Sequence, residues 1–154
     1  MRPNRAQALR LLGVLSAVAL LGAATPPPES IPLDVPSAHL YVREPSHLPQ
    51  LTTDARLTRV ARDYAREMLT QGYFGHFGPD GSTPASRLRG SGYAFHAMAE
   101  NIAFAPDVKT AQSHLEASPG HRRNMLDSRV TRIGVGVIAD SIYGNAYVQE
   151  FAGD

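Results

Sequence analysis

Nine residues, Ser118-Pro119-Gly120-His121-Arg122-Arg123-Asn124-Met125-Leu126, combine a helix start with a histidine and two arginines. The Ser118 hydroxyl can cap free backbone N–H groups, and Pro119 fits the first helical position, where its missing N–H costs nothing. His121 then falls in the first turn, near the positive end of the helix dipole. That location disfavours the imidazolium, so a neutral, metal-competent imidazole is expected. Two other residues have suitable chemistry. His76 lies within Tyr73-Phe74-Gly75-His76-Phe77, and Glu100 opens Glu100-Asn101-Ile102-Ala103. Each also has a plainer reading. A histidine among aromatics can be a packing residue, and a glutamate before an apolar run can be a cap or a surface group. No local spacing rule makes the three neighbours; only a fold can.

The rest of the composition narrows the chemistry. Six histidines and no cysteine favour imidazole and carboxylate metal sites over thiolate ones. There is no HExxH helix, and no serine or cysteine nucleophile stands beside a base. A formal net charge of +1 over 154 residues does not suggest an electrostatic nucleic-acid binder.

These groups must be positioned by elements further along the chain. Arg2, Arg5 and Arg10 precede an apolar run from Leu11 to Leu21, followed by Gly22-Ala23-Ala24. This pattern predicts a cleaved secretory signal over 1–24, too short to span a bilayer comfortably. Residues 25–50 hold seven prolines, which predicts an extended lead-in containing His39 and His47 in structural or solvated roles. One domain is expected over 51–154.

Within that domain, Leu57, Val60, Ala61, Tyr64, Ala65, Met68 and Leu69 form a helical stripe. Thr53 is its expected cap, Asp54 its first turn and Gly72 its end. Pro79-Asp80-Gly81 is a turn. Thr83-Pro84 opens a short helix through Arg89, with Arg87 and Arg89 expected on a solvated face. His96 has no evident partner. Asp107 caps a helix over 108–117, which carries His114 at helical spacing. Arg132 to Ile138 reads as a strand with Ile133, Val135 and Val137 on one face; Gly134 and Gly136 imply close packing on the other. Gly144-Asn145 signals a hairpin turn into a return strand over 147–151. Two strands alone are marginal, so helices must cover them or more strands must join.

The ordered pieces "YFGHFGPDGSTPASRLRGSGY", "AENIAF", "SPGHRRNMLDSRVTRIGVGV" and "YVQEF" resemble bacterial CAP-domain (SCP-domain) proteins, the superfamily of cysteine-rich secretory proteins, insect antigen 5 and plant pathogenesis-related proteins. The resemblance covers about 51–151. It implies an α+β fold, a three-layer α/β/α sandwich with a small, largely antiparallel central sheet. It also implies a surface cleft that binds zinc or another divalent cation, with His76, His121 and Glu100 as metal ligands. Tyr73, Phe74, Phe77, Asn101, Ser118 and Glu116 would line the cleft. Ser118 stands where eukaryotic members have a second glutamate, and Leu115 where they have a tryptophan. Glu116 is two positions off, about 200° around a helix, so it is a poor substitute. The family's first helix has no clear counterpart before Leu51.

Two functions follow from these residues, beside a third, purely structural reading in which the histidines and Glu100 hydrogen-bond to one another and brace the loops. The favoured one is an exported binding module, periplasmic or extracellular and cell-wall associated. It would present the cleft to a lipid, peptide or cell-envelope ligand, with no membrane span left after signal cleavage. The alternative is a metal-dependent hydrolase of peptide, ester or cell-wall bonds, in which zinc acidifies a water and Glu100 serves as general base.

Overall fold

The computed structural model describes residues 43, 45–140 and 144–154. The signal over 1–24, His39 and most of the lead-in lie outside the described residues. The elements run in the order β1 (Thr52–Thr53), α1 (Ala55–Gln71), α2 (Pro84–Gly90), β2 (Ala97–Ala105), α3 (Val108–Ala117), α4 (Pro119–Met125), β3 (Arg132–Ile138) and β4 (Asn145–Gly153). The strands form one sheet in the order β1-β3-β4-β2, parallel only between β1 and β3. Helix α1 covers one face, while α3 and α4 cover the other. This is the expected α/β/α sandwich.

Local chemistry explains the elements. The cap of α1 is Asp54, not Thr53: Asp54 Oδ1 accepts from the N–H groups of Arg56 (2.8 Å) and Leu57 (3.0 Å). A carboxylate can accept both bonds and also complements the helix dipole. Thr53 is instead paired with Ile133 in β1. Gly72 ends α1 at φ 69°, a left-handed conformation that suits glycine. On β3, a Cβ at Gly134 would overlap the backbone of Leu57 and Thr58, and one at Gly136 the backbone of Ala61 and Arg62. The two glycines therefore let α1 lie directly on the sheet. Ile133 and Val137 enter the core on the opposite face, with Leu115, Met125 and Phe151.

The hairpin strand is longer than the sequence suggests. It pairs with β2 from Asn145 to Gly153 as well as with β3. Packing also begins before Leu51. Arg43 is 1% exposed. Its Nη1 donates to the carbonyls of Met125 (2.9 Å) and Asp127 (3.2 Å), and its Nε donates to Pro49 O (2.7 Å).

Candidate functional site

Strand β2 is the sheet edge opposite β1, and its residues alternate between faces. Glu100 and Ile102 point toward α1, while Asn101, Ala103 and Ala105 point toward α3 and α4. Two layers thus meet at this edge, and each brings a histidine.

His76 comes from the loop after α1. Its Nδ1 lies 2.8 Å from Glu100 Oε1. Arg87 Nη2 donates to Glu100 Oε2 (2.7 Å) and to the His76 carbonyl (3.1 Å). The Arg87 guanidinium lies 3.3 Å from the centre of the Tyr64 ring, and the Tyr64 hydroxyl donates to Gly75 O. The loop is therefore held at two successive carbonyls and at the imidazole. The Glu100 side chain is 1% exposed and that of His76 41%. Glu100 is consequently a buried acceptor behind His76. With Nδ1–H donating to Glu100, the His76 Nε2 lone pair is left as an acceptor.

Arg87 is one residue that sequence reasoning missed. The sequence places it on a solvated face, but its side chain is only 11% exposed. The helix α2 that carries it begins with a capping box between Thr83 and Ser86 and has Pro84 in its first turn. Arg89, two residues on, is exposed as expected and lies over Phe95.

His121 comes from α4, on the other side of the edge. Pro119 occupies the first turn as expected, but the Ser118 side chain makes no capping bond. Ser118 also closes α3, its backbone N–H donating to His114 O. Desolvation lowers the His121 pKa, and the charge of His76 lowers it further. The two imidazoles are therefore close enough to repel when charged. A polar network fixes α4 against β2. Asn101 Nδ2 donates to His121 O (3.2 Å) and to Gln149 Oε1 (3.0 Å). Asn124 Nδ2 donates to Asn101 Oδ1 (2.8 Å) and to Glu100 O (3.2 Å). Gln149 continues to Gln112, and Gln112 to Glu116 Oε1 (2.7 Å).

The expected lining residues divide into three groups. Asn101 is fully buried and acts as a tie, with Glu116 at the far end of the same network. Tyr73 and Phe74 join Met68, Leu69, Gly72 and Phe104 around a separate apolar cleft of about 440 Å³. Phe77 is 69% exposed. His96 and His114 are exposed.

Behind Glu100 lies a second acid. Glu150, directly across from it on β4, is fully buried, and neither of its oxygens has a hydrogen-bond partner among the described residues. Burial, followed by the Glu100 charge, pushes the Glu150 carboxyl well above the usual range. Burial thus favours the neutral form of Glu150.

The donor set bears on a metal. Both Glu100 oxygens are engaged by His76 and Arg87, and no group of three or more His, Cys, Asp or Glu side chains among the described residues is placed to hold a metal. The arrangement therefore does not fit a three-ligand centre that includes Glu100. Glu100 stands instead as the buried carboxylate that orients His76.

The cysteine-rich secretory protein (CAP) family model matches residues 37–151. The chain is similar to uncharacterized protein YkwD of Bacillus subtilis, at 32% identity over 114 residues. That match covers 72% of this chain and 42% of YkwD, so the chain spans less than half the length of this relative. Among solved structures, it is similar to an extracellular SCP-domain protein of Bacillus anthracis (31% identity, TM-score 0.68, 75% of this chain and 38% of that one). An outer surface protein of Borrelia burgdorferi matches with a TM-score of 0.74 over 82% of this chain and 98% of its own. At 20% identity, that match speaks for the fold alone.

Proposed function

The chain belongs to the cysteine-rich secretory protein (CAP) family, and from that premise we propose that it is an exported binding module. Its cleft, between His76 and His121, receives a cell-envelope or extracellular ligand, and a divalent cation such as zinc binds there through the two imidazoles. The observation that supports a module over a hydrolase is the commitment of Glu100. One of its oxygens is taken by His76 and the other by Arg87. A general base must also reach a water, and the Glu100 side chain is only 1% exposed.

His76 and His121 each do one thing in this reading. His76 offers Nε2 as an acceptor in a fixed orientation, set by Glu100. His121, kept neutral by desolvation, offers a second acceptor from the opposite layer. A bound cation would supply Lewis acidity and open coordination positions to a ligand oxygen or nitrogen. Export is supported by the N-terminal sequence pattern and by the extracellular description of the similar Bacillus anthracis protein. Among the described residues no helix is long and apolar enough to cross a membrane.

The test is a hydrolysis screen of the zinc-loaded protein against peptides, esters and peptidoglycan fragments. No turnover above buffer is expected. Turnover that Glu100→Gln abolishes without loss of folding would replace the module with a metal-dependent hydrolase.

A further inference from the structure

The turn after α4 forms one wall of a groove of about 730 Å³ lined by Pro119, Arg122, Arg123, Leu126, Asp127 and Arg129, among others. Three guanidinium groups face a single carboxylate there. That carboxylate is already engaged: Asp127 Oδ2 accepts from Arg129 Nη2 at 2.6 Å, and Asp127 Oδ1 accepts from the Arg129 backbone N–H at 2.9 Å. Arg122 and Arg123 are exposed and form no ion pair or side-chain hydrogen bond among the described residues. Beneath the wall lies a fourth guanidinium, Arg43, fully enclosed and, among the described residues, bonded only to backbone carbonyls, two of which belong to the end of α4 and the turn after it. The chain as a whole carries only +1, so this is a local concentration of charge. Cations in the last turn of α4 also complement its dipole. That effect accounts for neither the buried Arg43 nor the arginine beyond the helix.

We propose that this groove is a second binding site, for a linear polyphosphate, in which each internal phosphate carries one negative charge. Arginine forks match phosphate oxygens in pairs, and several along one groove select a chain over a single ion. A free polymer is favoured over a lipid surface. The site is concave, and the exposed large apolar side chains, Phe74 and Phe77, lie outside its lining. Neither His76 nor His121 belongs to its lining.

Inorganic polyphosphate is the probe, titrated into the purified protein at low and at physiological salt. Binding is expected to weaken with salt and to fall about tenfold or more in Arg122→Gln/Arg123→Gln. Arg66→Gln, on α1 and paired with Asp63, should bind like the parent protein. His76→Ala/His121→Ala should also retain polyphosphate binding, which separates this site from the cleft. Equal binding by the parent and the Arg122/Arg123 variant would overturn the proposal, as would absence of binding at low salt. Binding to anionic phospholipid vesicles without binding to polyphosphate would overturn the choice of a free polymer. Thermal unfolding of each variant checks that it is folded.

Discussion

Arg87 Nη2 and Glu100 Oε2 lie 2.7 Å apart, and the same nitrogen holds the carbonyl of His76. One arginine thus fixes both the carboxylate that orients His76 and the backbone that carries it. Arg87→Ala removes the partner of a carboxylate that is 1% exposed. Stability should drop by about 3–5 kcal/mol, the usual cost of leaving a buried charge unpaired. Chemical denaturation measures this. In the parent protein, nitrogen-15 NMR should find the neutral His76 imidazole protonated at Nδ1. A predominantly Nε2-protonated ring would contradict the orientation described.

Glu150 makes stability depend on pH in a specific direction. Its carboxyl is raised well above 4.5 by burial and by the Glu100 charge. A raised acid binds its proton more tightly in the folded chain. Its contribution to stability is fully present below the unfolded value and is lost as pH rises through the folded value. Stability of the parent should therefore decline with pH above about 4.5 from this group. Glu150→Gln, which keeps the shape of a neutral carboxyl, should flatten that decline and match or exceed the parent at neutral pH. Denaturant midpoints measured from pH 4 to pH 8 would show it. An unchanged slope in the variant would remove Glu150 as the source.

Gly134 is a packing requirement. A Cβ there would overlap the backbone of Leu57 and Thr58, which side-chain rotation cannot relieve. Gly134→Ala should cost about 1–3 kcal/mol or more, as overpacking does in a close-packed interior. Gly120→Ala is the control, since nothing lies within 4 Å of a Cβ at that position. Comparing the unfolding midpoints of the two variants gives the answer.

Much of the fold is legible in the sequence because its signals are local. The stripe on α1 repeats within the helix, and Gly72, the Thr83-Pro84 start and the Asp107 cap act within a few residues. The glycines of β3 are visible as gaps in an apolar strand, although the helix they admit is distant in sequence. Local signals do not separate Thr53 from Asp54, because either side chain can cap; pairing with Ile133 is what draws Thr53 into β1. The site is less legible because its contacts are long-range. Nothing near Arg87 in sequence reveals that Glu100, thirteen residues on, is its buried partner. Spacing from Leu88 would have helped: Leu88 is buried, and Arg87 and Arg89 flank it on different sides of α2. Glu150 is hidden in the same way, since its facing residue is set by the register of β2 against β4. Asn101 and Gln149 meet through that register too, on the opposite face.

The most direct test of the cleft is calorimetric titration of zinc at neutral pH into the parent protein, His76→Ala/His121→Ala and Glu100→Gln. The parent should give saturable heat, and the double histidine variant none. Glu100→Gln should still bind, about 10–100-fold more weakly, as expected for a residue that orients a ligand without being one. Equal heats for the parent and the double histidine variant would contradict the account.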